Sequence, residues 1–171
     1  ARTETAPGHV TLGTGAHPRR HGIVGNNFLV PEEGQLRSIY SMRDLDSPLL
    51  NHPEMEGRSP LNIEADGLAD WVLAADADAR IVSISSKDRA AIGMAARARG
   101  HVYWIVEDTG LFTTSTFYRD RLPRWVRRYN DTRMRELYAD SIWETTLPEA
   151  MKARSRPDTA AYEGDGIHTY F

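Results

Sequence analysis

Arg80-Ile-Val-Ser-Ile-Ser-Ser-Lys-Asp-Arg-Ala-Ala-Ile-Gly-Met-Ala-Ala-Arg-Ala-Arg-Gly-His-Val-Tyr-Trp-Ile-Val, residues 80–106, decides the fold class. Residues 80–85 are short and β-branched, the composition of a buried strand. Ser86 can cap a helix running through Ala90, Ala91, Met94 and Ala95, with Gly100 past its end. His101–Val106 then reads as a second strand. Strand, helix and strand at these lengths predict a βαβ unit and an α/β fold with a largely parallel sheet. Ligands of such sheets sit beyond the carboxyl ends of the strands. Lys87 and Arg89 fall at one such end, in the first turn of a helix whose amides and dipole already favour an anion. Cations opening a helix are also common as solvated surface charge, so this pattern alone leaves both readings open.

Outward from this stretch, Leu68, Trp71, Val72 and Ala75 fall at helical spacing and predict a helix over 65–75. Leu122, Trp125, Val126 and Tyr129 repeat the pattern, with Pro123 near the first turn, and leave Arg124, Arg127 and Arg128 on a solvated face. Residues 5–16 open on a threonine with a proline two positions later, which suits a helix start. Gly13 and Gly15 make that helix poor in isolation, so close packing must hold it. Residues 28–62 carry many turn formers and read as a loop-rich excursion with short strands around 27–30 and 36–40. Residues 148–171 form a polar tail.

The chain has 171 residues, enough for one domain with a substantial core. At 40% hydrophobic and 26% charged it has an ordinary globular composition. No apolar run approaches the roughly 20 residues that span a bilayer. A net charge of −3 offers no basic field, which argues against nucleic acid as a partner. The absence of cysteine excludes disulfides and thiolate metal sites. Opening on Ala1 without a leader and closing on Tyr170 and Phe171, the chain reads as a piece of a larger protein.

Thr5, just ahead of a helix, could cap it or attack a bound phosphoryl group; a threonine hydroxyl needs a base or metal to become a nucleophile. His9, His17 and His21 are spaced eight and four apart, which matches no standard zinc pattern, and packing or hydrogen bonding is the preferred reading. Asn26 and Asn27 follow Gly25 and would mark a turn, though an amide there could donate to an oxyanion. Asp108-Thr-Gly110 and Thr113–Thr116 look like a polar turn feeding an edge segment, with structural hydroxyls.

Taken jointly, Thr-Ala-Pro-Gly-His (5–9), Pro-Arg-Arg-His-Gly-Ile-Val-Gly-Asn (18–26), Ser-Lys-Asp-Arg (86–89), Thr-Ser-Thr-Phe-Tyr (114–118) and Leu-Pro-Arg-Trp-Val (122–126) resemble the alkaline phosphatase superfamily. The branch is that of bacterial phosphate monoesterases related to nucleotide pyrophosphatase/phosphodiesterases. The resemblance implies a partial alkaline-phosphatase-like sheet, mostly parallel and flanked by helices, within one catalytic domain over 1–171. It implies Thr5 as nucleophile and metal ligand, with Asn26, Lys87 and Arg89 gripping the substrate phosphate. It implies two zinc ions, a phosphothreonine intermediate, a small phosphate ester substrate, and a periplasmic or secreted location. The lysine-arginine pair favours monoesters; a phosphodiesterase, a sulfatase or an inactive anion-binding fragment are the other readings. The family's Asp-x-x-x-His and Asp-His elements are missing, so no metal ligand beyond Thr5 is assigned. The chain alone is expected to be inactive, completed by remaining segments of the same protein.

Overall fold

A computed structural model describes residues 3–32, 34–142 and 145–154. They fall into two units, Ala1–Leu137 and Tyr138–Phe171. In the second unit the helix α7 (Glu149–Lys152) is exposed, with Lys152 paired to Glu149. The rest of the expected polar tail, residues 155–171, lies outside the described residues.

In the first unit, residues 80–106 form the expected βαβ crossover. Strand β3 (Val82–Ser85) pairs in parallel with β4 (His101–Val106), Val82 opposite His101 and Ser85 opposite Trp104, and α4 (Asp88–Ala95) connects them. A turn at 107–110 then returns the chain as β5 (Leu111–Thr113), antiparallel to β4, with Gly110 at φ 68°. The three-stranded sheet is therefore mixed, ordered β3-β4-β5. Ser86 is not the cap of α4: Lys87 holds that position, and the Asp88 carboxylate accepts the Arg89 amide at 2.7 Å. A carboxylate in the first turn meets the orphan amides and the positive end of the dipole better than a hydroxyl does.

Helix α1 (Thr5–Thr14) ends where Gly15 turns left-handed at φ 62° and donates to the Thr11 carbonyl. It is held by close packing, as its glycines demand. A Cβ on Gly13 would stand 2.5 Å from the Gly93 carbonyl oxygen of α4, and one on Gly93 would stand 3.1 Å from His9 and Val10. Backbones approach this closely only without side chains between them. Around the crossing, Ala6, Val10, Ala91, Ile92 and Ala95 join Ile23, Met42 and Trp104 in the core.

Strands β1 (Asn27–Glu32) and β2 (Gln35–Tyr40) form an antiparallel hairpin, longer than expected because the ladder runs on through Pro31 opposite Leu36. Proline is tolerated there since a two-stranded ribbon leaves one side of each strand unpaired. Residues 41–62 fold as turns, cross-tied by Asp44 to Gly57, Arg58 to Ser47 and Ser59 to Met42. Helix α3 (Leu68–Ala75) begins later than its apolar spacing predicts, because the Asp70 carboxylate accepts the Gly67 amide at 2.8 Å. Its apolar stripe also faces outward: Leu68 and Trp71 are exposed, while Ala69 is buried. A Cβ on Gly67 would lie 2.5 Å from the Gly13 carbonyl, so the helix meets α1 along its small residues. Helix α5 (Arg124–Asp131) behaves as expected, with Val126 buried, Trp125 edge-on to Tyr103 and Tyr129 edge-on to Phe112. Two short helices, α2 (Pro18–His21) and α6 (Met134–Leu137), complete the unit.

His21 is fully buried in α2. Its Nδ1 accepts the Ile23 amide at 3.1 Å, so the proton sits on Nε2, which donates to Thr11 Oγ1 at 3.1 Å. Burial pushes its pKa below the ordinary histidine value. The unfolded chain therefore takes a proton first as pH falls, and the stability owed to neutral His21 is full above pH about 6.5 and declines below it. Thermal unfolding between pH 7.5 and 5 should show a shallower loss for His21→Gln than for the unmodified chain; equal slopes would contradict the buried neutral ring. At the helix crossing, Gly13→Ala should destabilise by about 1–3 kcal/mol through overpacking. Gly8→Ala, with open space at its Cβ, should stabilise by about 0.5–1 kcal/mol. Urea titration of both separates backbone contact from helix propensity.

Candidate functional site

Thr5 is the first residue inside α1, not its cap. Glu4 occupies the cap position with extended backbone and no side-chain cap bond, and its carbonyl accepts the Gly8 amide. Asn26, from just ahead of β1, takes over the capping duty. Its Oδ1 accepts the Ala6 amide at 2.9 Å, and its own amide N–H donates to Glu4 Oε2 at 2.7 Å. One bond holds the backbone just after Thr5 and the other holds the Glu4 carboxylate just before it. With Oδ1 turned to an N–H, the Asn26 NH2 is the free end of the carboxamide. Thr5 is half-buried; its carbonyl accepts from His9 Nδ1 at 2.8 Å, and its hydroxyl makes no hydrogen bond among the described residues.

Lys87 and Arg89 open α4. The Lys87 side chain is exposed and in no ion pair among the described residues. Arg89 is half-buried, its Nη1 donating to the Tyr40 hydroxyl at 2.9 Å while its buried Nε has no partner. Tyr40 in turn donates to Asp88 Oδ1 at 2.6 Å, and Arg58 Nε donates to Asp88 Oδ2 at 3.0 Å. The Arg58 guanidinium lies 4.6 Å from the centre of the Tyr40 ring, within stacking range. Burial, reinforced by the Asp88 charge, pushes the Tyr40 phenol well above its ordinary pKa, so it stays protonated.

A cleft of about 340 Å³ opens here, walled by Tyr40, Arg58, Lys87, Arg89 and Trp104, with Glu107 and Asp108 nearby. Thr5 and Asn26 do not line it. The structure thus forms two pairs, Thr5 with Asn26 and Lys87 with Arg89. The hairpin joins them: Asn27, next to Asn26, pairs with Tyr40, and the Ser41 amide donates to the Asn26 carbonyl at 2.9 Å. One end of one hairpin therefore meets the N-termini of both α1 and α4.

Histidines follow the structural reading. His9 bonds back to its own helix, His21 is buried, and His17 stands at the N-cap position of α2 without a side-chain cap bond. Among the described residues no group of three or more histidines and carboxylates could hold a metal ion, so these residues do not by themselves fit a zinc site. Thr113, Thr114 and Ser115 are buried, with Thr113 Oγ1 donating to Asn51 Oδ1 and the Thr114 and Ser115 hydroxyls without a partner among the described residues. Sequence reasoning missed Glu4, Tyr40, Arg58 and Asp88. Asp88 was visible between two cations, but its partners stand 48 and 30 positions away and no local pattern announces them.

Residues 2–167 match the family described as type I phosphodiesterase / nucleotide pyrophosphatase. The chain is 33% identical over 163 residues to alkaline phosphatase PhoV of Synechococcus elongatus, covering 94% of this chain and 29% of that protein. It is 33% identical over 165 residues to alkaline phosphatase PafA of Elizabethkingia meningoseptica, covering 95% and 30%. The crystal structure of wild-type PafA superposes with a TM-score of 0.83 at 33% identity, over 99% of this chain and 33% of that one. A PafA variant substituted at one threonine, one asparagine, one lysine and one arginine superposes at 0.80 and 30% identity, over 93% and 31%. The chain spans about a third of the length of these relatives. With nearly every residue matched in sequence and in fold, the chain belongs to the type I phosphodiesterase / nucleotide pyrophosphatase family of the alkaline phosphatase superfamily.

Proposed function

We propose that the complete protein is a zinc-dependent phosphate monoester hydrolase, and that this chain supplies its nucleophile and phosphate clamp. The observation that carries the reading is the bonding around Thr5: Asn26 holds the Ala6 amide on one side and the Glu4 carboxylate on the other, and the Thr5 hydroxyl and Asn26 NH2 have no hydrogen-bond partner among the described residues. The PafA variant adds support, since its substituted threonine, asparagine, lysine and arginine are separated by 21, 62 and 2 positions. Thr5, Asn26, Lys87 and Arg89 are separated by 21, 61 and 2.

In this reading Thr5 Oγ attacks phosphorus in line with the ester oxygen, the P–O bond to the alcohol breaks, and a phosphothreonine forms that water then cleaves. The N-terminus of α1 favours the negative charge gathered there. The Asn26 NH2 donates to a nonbridging oxygen, and Lys87 and Arg89 neutralise the phosphoryl group. A monoester presents a dianion and a diester one charge with a second substituent. Two fixed cations reward the first, because charge-assisted bonds are about twice as strong as neutral ones. Zinc is the activator the resemblance implies for the hydroxyl, with Thr5 its single assigned ligand in this chain. The same resemblance supports a periplasmic or secreted location; no helix among the described residues is long and apolar enough to cross a membrane. Diester hydrolysis is the second reading, favoured by the family's own description.

In the complete protein, Thr5→Ala should cut phosphatase turnover by roughly three orders of magnitude or more; undiminished turnover would refute the assignment. Lys87→Ala and Arg89→Ala should each lower monoester kcat/KM by about 10- to 100-fold, the worth of a charged hydrogen bond, and touch diester rates far less. A greater loss on diesters than on monoesters would favour the second reading. Zinc titration of this chain alone should give neither tight stoichiometric binding nor turnover.

A further inference from the structure

Arg89 has one side-chain hydrogen bond among the described residues, from Nη1 to the Tyr40 hydroxyl at 2.9 Å. The nearest carboxylate, Asp88 Oδ1, is 3.8 Å away, beyond hydrogen-bond reach. The Tyr40 proton is already committed to Asp88 Oδ1 at 2.6 Å, so the oxygen can only offer Arg89 a lone pair. Asp88 is itself balanced by Arg58, whose Nε holds Oδ2 at 3.0 Å. A hydrogen-bonded carboxylate would fix Arg89 and offset most of its charge; a neutral phenol oxygen fixes it, and the looser ion pair of Arg89 with Asp88 at 3.8 Å is shared with Arg58.

Resting on Arg89 as a phosphate clamp, we propose that Tyr40 is a positioning residue: its neutral hydroxyl aims the Arg89 guanidinium at the phosphoryl group without discharging it, while Arg58 absorbs the charge of Asp88. The Arg89 Nε is buried and makes no hydrogen bond among the described residues, so the Tyr40 hydroxyl is the hydrogen-bonded hold on the guanidinium there. Tyr40 does not touch the reacting atoms; it acts through Arg89.

The test is a double-mutant cycle in the complete protein, reading monoester kcat/KM, diester kcat/KM and inhibition by inorganic phosphate. Tyr40→Phe keeps the ring on which Arg58 stacks and removes only the hydroxyl. Monoester kcat/KM should fall about 10-fold, phosphate inhibition should weaken by a similar factor, and diester kcat/KM should hold within about twofold. In an Arg89→Ala background, Tyr40→Phe should add less than about a twofold loss. Equal costs with and without Arg89, or parallel losses on both ester types, would mark Tyr40 as merely structural and overturn the proposal. A variant of unchanged phosphate affinity overturns it too. Should Arg89→Ala leave phosphate inhibition intact, the clamp reading falls and this inference with it; should Arg89→Ala weaken it while Tyr40→Phe does not, only the role of Tyr40 falls.

Discussion

The contact on which the rest depends is the glycine-lined crossing of α1 and α4. With the Gly13 Cβ position only 2.5 Å from the Gly93 carbonyl, and Gly67 pressed equally close to Gly13, three segments share one tight junction. Helices this close cannot slide without driving backbone into backbone, since interiors are packed to crystalline density. The helix that begins at Thr5 and the helix that begins after Lys87 are thus locked in relative position. Their chemistry-bearing first turns inherit that precision although no side-chain contact joins Thr5 to Arg89.

The hairpin turns this packing into a site. At its open end Asn26, just ahead of β1, and Tyr40, the last residue of β2, each reach a different helix N-terminus. A two-stranded ribbon is marginal alone, but here Asn26 accepts an α1 amide and Tyr40 bonds the Asp88 and Arg89 side chains of α4, so this end is held by both helices. The long excursion after β2 contributes by returning Arg58 to Asp88. That buffers a carboxylate which would otherwise oppose the two cations.

Much of the fold was legible because it obeys local rules. Residues 80–106 alternate strand and helix patterns cleanly, and Val126 and Tyr129 announced a buried face. The glycines of α1 correctly signalled a helix that only packing could hold. What failed were inferences from spacing about direction. The stripe of Leu68 and Trp71 reads as a core face, yet the junction at Gly67 and Ala69 turns it outward. Pro31 reads as a break, yet an unpaired ribbon edge accommodates it. At the site, Thr5, Asn26, Lys87 and Arg89 were nominated by motif and resemblance, and the structure sets them as two pairs, Thr5 with Asn26 and Lys87 with Arg89. Glu4, Tyr40 and Arg58 were not nominated, because a hydrogen bond across dozens of residues leaves no periodic trace.

The groups of the proposed clamp are oriented by hydrogen bonds within the chain. The Ala6 and Asn26 amides, the Glu4 carboxylate and the Tyr40 hydroxyl all spend their hydrogen bonds on the protein itself. Among the described residues the Thr5 hydroxyl, the Asn26 NH2 and the Lys87 ammonium have no hydrogen-bond partner, and under the proposed reading they are the groups that would meet a phosphoryl group. Electrostatic stabilisation is effective to the extent that its dipoles need not reorganise when charge develops. By that measure, in the proposed reading, the groups carried here need little reorganisation.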